Sequence, residues 1–135
     1  MIIAIDGPAG AGKSTVARIL ARRLGFLYLD TGAMYRALTL KALEEKIDLK
    51  DAASLVKMAQ NTAIDLKNTS EGSIEIALDG KDVTRQIREP GITRWVSDIA
   101  KIKGVREVMV RLQRKMGTRK NSVLDGRDIG TVVFP

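Results

Sequence analysis

The sequence predicts an α/β fold, a parallel sheet with helices on its faces, and three observations predict it. Short apolar runs of strand length alternate with longer stretches of helical periodicity. A glycine-rich segment, Gly7-Pro8-Ala9-Gly10-Ala11-Gly12-Lys13-Ser14, separates the first such run from the first such stretch. Acids close three of the runs, at Asp6, Asp30 and Asp125, and the carboxyl ends of strands are where parallel sheets bind ligands.

Each element follows in chain order. Ile2-Ile3-Ala4-Ile5-Asp6 reads as a buried strand. The glycine segment fits G-x-x-x-x-G-K-[ST] without a mismatch. In that pattern, the P-loop, converging backbone N–H groups cradle phosphates. The lysine, here Lys13, reaches the β- and γ-phosphates, and the hydroxyl of Ser14 sits on Mg²⁺. Val16, Ala17, Ile19, Leu20 and Leu24 then form one apolar helical face, with Arg18, Arg22 and Arg23 off it. That places the loop at a helix N-terminus, where the dipole favours anions. Gly25 ends the helix, and Phe26-Leu27-Tyr28-Leu29-Asp30 reads as a second strand. Thr31 is expected to cap a helix through Met34, Ala37, Leu38 and Leu43, followed by a short helix over Ala52–Gln60.

The period then changes to two in Ile64-Asp65-Leu66-Lys67 and Ile74-Glu75-Ile76-Ala77-Leu78. Turn residues fill positions 68–72, and Asp79-Gly80 leads into residues 81–84. This predicts a small antiparallel meander inserted at about residues 62–90 of an otherwise single domain. Pro90 is expected to open a helix carrying Ile92, Trp95, Val96 and Ile99, with Trp95 in the core and Gly104 as its breaker. Val105, Val108, Met109, Leu112 and Met116 stripe the next helix, closed by Gly117. Its basic cluster Arg111, Arg114, Lys115, Arg119 and Lys120 reads as a solvated face and helix end. Ser122-Val123-Leu124-Asp125 completes the set as a third parallel strand.

The three strand-end acids suit Mg²⁺ and its waters, although Asp6 and Asp30 are equally suited to turns or helix caps. Asp125 is the better placed, because Asp125-Gly126-Arg127-Asp128 gathers a cation and two acids in one loop.

Composition narrows the chemistry. With no cysteine and no histidine in 135 residues, neither a thiolate nor an imidazole is available. Carboxylates, cations, hydroxyls and metal-bound phosphates must serve. The missing cysteines, the lack of a basic-then-apolar leader and the lack of a long apolar run predict a cytoplasmic protein without membrane partners. A net charge of +7 suits either a phosphorylated small molecule or nucleic acid, or simply a solvated basic surface. Few aromatics accompany the basic residues, which disfavours a single-strand stacking platform. Scarce Asn and Gln with abundant Lys, Arg and Glu tilt towards a thermophilic source.

The phosphate loop, then Asp30-Thr31-Gly32-Ala33-Met34-Tyr35-Arg36, then Asp125-Gly126-Arg127-Asp128-Ile129-Gly130-Thr131-Val132-Val133-Phe134-Pro135, together resemble the bacterial-type cytidylate kinase family. The meander, with Ser97 and Arg106 after it, is similar to that family's nucleoside-monophosphate-binding insertion. The resemblance spans the whole chain. It implies phosphoryl transfer from ATP to CMP or dCMP, giving CDP or dCDP, in pyrimidine nucleotide metabolism. It implies that Gly7, Pro8, Ala9, Gly10, Ala11, Gly12, Lys13, Ser14 and Thr15 hold ATP, and that Lys13, Arg36 and Arg127 are catalytic. Ser14 would ligate Mg²⁺, with Asp125 acting through metal-bound water. Arg36 and Arg127 would clamp the CMP phosphate with help from the Thr31 hydroxyl, and Ser97, Arg106 and Asp128 would read the cytosine.

The physics is compatible with those roles. The attacking phosphate oxygen is already ionised at neutral pH, so the reaction needs positioning and charge neutralisation rather than a general base. Arginine's planar fork suits a phosphate clamp. An acid at Asp128 accepts from the N4 amino group of cytosine and repels the uracil carbonyl, a discrimination on the order of 10³ or more. The resemblance further implies a monomer at full length, no nucleic-acid partner, and segments beyond Pro135: another core strand, an arginine-bearing lid, a helix and a last strand. Without them, residues 2–5 would lie on an exposed apolar edge and the chain alone would turn over weakly or not at all. The alternatives are a P-loop kinase for another small acceptor, such as a shikimate-type enzyme, and a basic nucleotide- or nucleic-acid-binding module without catalysis.

Overall fold

A computed structural model of the chain describes residues 1–7, 12–69, 73–126 and 129–135. They form two compact units. The first comprises Met1–Gly32, Asn68–Ile74 and Val110–Pro135, and the second Ala33–Lys67 and Glu75–Met109.

The first unit is built on a parallel sheet of β1 (Ile2–Asp6), β2 (Leu27–Asp30) and β6 (Ser122–Gly126), in the order β1-β6-β2. The central strand β6 is buried along its whole length. β1 pairs with β6 alone among the described residues and is only half-buried, with Ala4 exposed, which is the edge expected for residues 2–5 rather than a fully buried strand. Helix α1 (Lys13–Leu24) packs on this sheet through Ala17 and Ala21. The expected apolar face is only partly covered: Val16 is 56% exposed, Ile19 50% and Leu24 47%. The two alanines, four residues apart, set the contact line. Val16 lies about 100° and Ile19 about 160° around the helix from Ala17, which turns both away from it. Gly25 closes α1 in a left-handed conformation, with its N–H on Ala21 and Arg22.

A π-helical turn, Ile129–Val133, follows β6 and is held at both ends by charged side chains. The Asp6 carboxylate accepts from the N–H of Ile129 (2.6 Å) and of Gly130 (2.9 Å). Arg114 donates through Nε to the Val133 carbonyl (2.7 Å) and through Nη2 to that of Val132 (2.8 Å). Arg114 is thus a clamp rather than part of a purely solvated face. Gly117 does not end helix α6 (Lys103–Arg119) but lies within it. A Cβ there would come within 2.9 Å of the Phe134 ring, so the missing side chain makes room for that ring. At the other edge of the sheet, the Asn68 amide accepts from the Tyr28 N–H (2.7 Å) and donates to the Tyr28 carbonyl (3.1 Å), standing in for one rung of a strand.

In the second unit, α2 (Thr31–Glu44) buries Met34, Ala37 and Leu38. α3 (Ala52–Gln60) is N-capped by Asp51, which accepts from the Ser54 N–H, and buries Leu55, Met58 and Ala59. The period-two segments form a sheet of β3 (Ile64–Asn68), β4 (Ile74–Leu78) and β5 (Lys81–Asp82), in that order, with β4 and β5 antiparallel. Ile64, Ile74, Ile76 and Leu78 turn inward while Asp65 and Glu75 face solvent. Asp79 joins the turn after β4 to α2 and β3. It pairs with Lys41 at 2.7 Å and accepts from the Ala63 N–H at 2.8 Å.

The helix expected from Pro90 is two short ones, α4 (Pro90–Thr93) and α5 (Val96–Ala100). Trp95 sits at the break, half-buried rather than in the core, with the Arg94 guanidinium 4.9 Å from its ring centre. Gly104 is no breaker either. It lies in the first turn of α6, where a Cβ would collide with Val56.

Candidate active site

The strand–loop–helix unit brings Gly7 and Lys13 together. Gly7 continues β1 and donates its N–H to the Gly126 carbonyl at 3.3 Å. Gly12, with φ of 76°, turns the chain into α1, and Lys13 is the first helical residue. The Lys13 ammonium donates to the Gly7 carbonyl at 2.9 Å, placing a positive charge across the two ends of the loop. Among the described residues no side chain caps α1, and its first turn holds no acid. The N–H groups at this end therefore have no side-chain acceptor among the described residues, and the helix dipole adds to the Lys13 charge. Ser14 is half-buried and Thr15 exposed in the same turn. Pro8, Ala9, Gly10 and Ala11 lie outside the described residues.

The carboxylates converge less than expected. Asp30 and Asp125 are direct partners in the β2–β6 register. Asp6 takes the role of a cap, both of its oxygens accepting from the turn that begins at Ile129. Asp125 is 2% exposed. Its Oδ2 accepts from the Tyr28 hydroxyl at 2.8 Å, while its Oδ1 is buried without a partner among the described residues. Burial pushes the Asp125 carboxyl up to about 6. The nearby Asp30 charge adds to the shift, and the Tyr28 hydrogen bond and Lys13 ammonium oppose it. Burial likewise pushes the Tyr28 phenol well above its ordinary range, helped by Asp30 and Asp125.

Thr31 does not cap α2. Its hydroxyl, in a side chain 4% exposed, donates to the Asp125 carbonyl at 2.7 Å. Gly126 is required beside it, because any Cβ would run into Thr31 Oγ1 and Ile129.

A divalent cation fits these donors in part. Oxygen ligands suit Mg²⁺, and a buried carboxylate oxygen with no protein partner is a ready acceptor for a cation or its water. No cluster of three acids among the described residues would hold a metal alone.

In the second unit, Arg36 projects from α2, half-buried. Its Nη1 donates to Thr93 Oγ1 at 2.7 Å and to the Ile87 carbonyl at 3.2 Å. Ser97 is exposed near the start of α5, and Arg106 is exposed on α6. Arg127 and Asp128 lie outside the described residues. Sequence reasoning missed Tyr28 and Thr93. Tyr28 passes as one more large residue in an apolar strand, and Thr93 as an ordinary helix residue.

The cytidylate kinase family's sequence profile matches residues 3–135. Over 133 residues the chain is 55% identical to the cytidylate kinase of Pelotomaculum thermopropionicum, covering 98% of this chain and 59% of that protein. It is 59% identical over 133 residues to the cytidylate kinase of Desulforamulus reducens, again covering 98% of this chain and 59% of that protein. A bifunctional pantoate ligase/cytidylate kinase of Synechococcus sp. shares 53% identity over 136 residues, which is 99% of this chain and 25% of that protein. The chain thus spans 59% of the first two relatives' length. No described helix is long and apolar enough to cross a membrane. The family profile and the relatives agree: the chain belongs to the cytidylate kinase family.

Proposed function

We propose that this chain carries the donor and acceptor sites of a cytoplasmic, monomeric kinase that moves the γ-phosphoryl group of ATP to CMP or dCMP. The observation that carries the reading is the pairing of an uncapped, Lys13-bearing helix start with the buried, half-satisfied Asp125 carboxylate. The first takes up phosphate charge. The second takes up a cation's.

The backbone from Gly7 to Thr15 and the Lys13 ammonium hold the ATP phosphates, Lys13 releasing the Gly7 carbonyl to do so. Mg²⁺, when bound, neutralises phosphate charge, and Ser14 and Asp125 are the residues that would hold it. Arg36 and Arg127 grip the acceptor phosphate, with Thr31 fixing the backbone of the Asp125 loop. Ser97, Arg106 and Asp128 read the base. Stabilisation comes from charges fixed before the substrate arrives, as at Arg36, rather than from any proton transfer by the protein.

The test is a phosphoacceptor screen with ATP and CMP, dCMP, UMP or AMP, alongside calorimetric titration of each nucleotide. CMP and dCMP are expected to bind best, and Lys13→Ala to remove ATP binding while leaving CMP binding in place. Preference for a different acceptor would overturn the reading. So would salt-dependent RNA affinity that survives Lys13→Ala without CMP binding, which the +7 charge makes the natural rival outcome.

A further inference from the structure

Asp125 raises a question its assigned role does not answer: what sets the orientation of a carboxylate with one buried oxygen bonded and the other bare? A buried carboxylate kept only for structure would have both oxygens satisfied, since leaving one bare costs on the order of 1–3 kcal/mol or more. Tyr28 and Asp30 share one face of β2, and Asp30 is in register with Asp125. From two residues back along that face, Tyr28 reaches forward to Asp125 Oδ2 at 2.8 Å. Tyr28 is itself anchored. It is 3% exposed, and its backbone is held at both N–H and carbonyl by the Asn68 amide. The Asp125 backbone is fixed independently by the Thr31 hydroxyl.

We infer that Tyr28 is a positioning residue for the cation site: its hydroxyl holds Asp125 by Oδ2 and leaves Oδ1, which has no partner among the described residues, available to a divalent cation or its water. The inference rests on the proposed role of Asp125. The groups facing the pair are Asp30, Lys13 and Arg18. Against a phenylalanine of the same shape, the hydroxyl supplies only orientation and charge stabilisation for Asp125. Partners that orient a ligand in this way are worth about 10- to 100-fold in metal affinity.

The test uses Mn²⁺ as the probe and water-proton relaxation to measure its binding to the chain with ADP, for the parent, Tyr28→Phe and Asp125→Asn. Tyr28→Phe is expected to weaken Mn²⁺ binding in the ternary complex by about 10-fold, with ADP affinity in EDTA unchanged. Asp125→Asn is expected to weaken it at least as much. If Asp125→Asn weakens Mn²⁺ binding and Tyr28→Phe does not, the positioning role is overturned and the role of Asp125 stands. If neither variant matters, the role of Asp125 is overturned, and the inference with it. If Tyr28→Phe lowers metal-free ADP affinity equally, the tyrosine is merely structural and the inference fails. A second measurement needs no variant. The chain has two tyrosines, so ¹³Cζ labelling gives a readily assigned Tyr28 resonance. It should shift with Mg²⁺ and ADP but not with ADP alone, and an unmoved resonance would overturn the inference.

Discussion

At Asp125 the requirements of folding and of the site oppose each other. Its carboxyl, raised from the ordinary aspartate range to about 6, binds a proton more tightly in the folded chain than in the unfolded one. Its contribution to stability is therefore fully present below about pH 4 and is lost as pH rises through about 6. The loss is up to about 3 kcal/mol. Asp125→Asn is expected to raise the melting temperature at pH 7.5 without metal, and the gain should vanish below about pH 4 in a pH series of thermal melts. A variant no more stable at pH 7.5 than the parent would contradict the buried-charge account. Arg36 offers a second prediction. Thr93→Val removes the acceptor at 2.7 Å and leaves the guanidinium Nη1 with the longer bond to the Ile87 carbonyl. CMP affinity by calorimetry should fall several-fold to about 10-fold, with ATP affinity unchanged. Lys13, Ser14 and Gly12 were legible in the sequence because the loop is a contiguous pattern. Tyr28 and Thr93 were not, because their bonds to Asp125 and Arg36 join residues 97 and 57 positions apart, and only strand register or helix docking creates them.

Among the elements, the π-helical turn Ile129–Val133 depends most on remote side chains. An irregular turn leaves N–H and carbonyl groups without regular partners, and here Asp6 and Arg114 supply them. Arg114→Ala should destabilise the chain by about 1–3 kcal/mol in urea unfolding, far more than an exposed arginine usually would. Arg119→Ala, exposed at the end of the same helix, serves as the comparison. The helices show where periodicity stops being informative. The apolar spacing located α1 correctly, but close approach through Ala17 and Ala21 decided which side was buried. Gly104 and Gly117 looked like helix ends because glycine has low helix propensity. Their neighbours Val56 and Phe134 occupy the space that side chains would have taken, so packing overrode propensity in both.

For the molecule as a whole, alternation of strand and helix signals was enough to expect a parallel sheet with an inserted meander, and both sheets are present. The strand order was not legible, since order depends on crossovers that local patterns do not encode. That order leaves β1, with Ile2, Ile3 and Ile5, at an edge, and α1 leaves Val16 and Ile19 uncovered. The chain should therefore associate as its concentration rises, despite its net charge of +7. Ala4→Lys, at an exposed position of that edge, should suppress the association in light scattering without lowering the melting temperature.

The central place of β6 also bears on how the chain reaches its native state. Ile2 and Leu27 both find their partner at Ser122, so among the described residues neither β1 nor β2 has a strand to pair with until β6 has been made. The sheet is closed by contacts between residues far apart in sequence, which makes its assembly slow relative to the local helices. A pulse-labelling hydrogen-exchange experiment should find α2 and α3 protected before β1, and the last amides to gain protection should be those that bridge to β6.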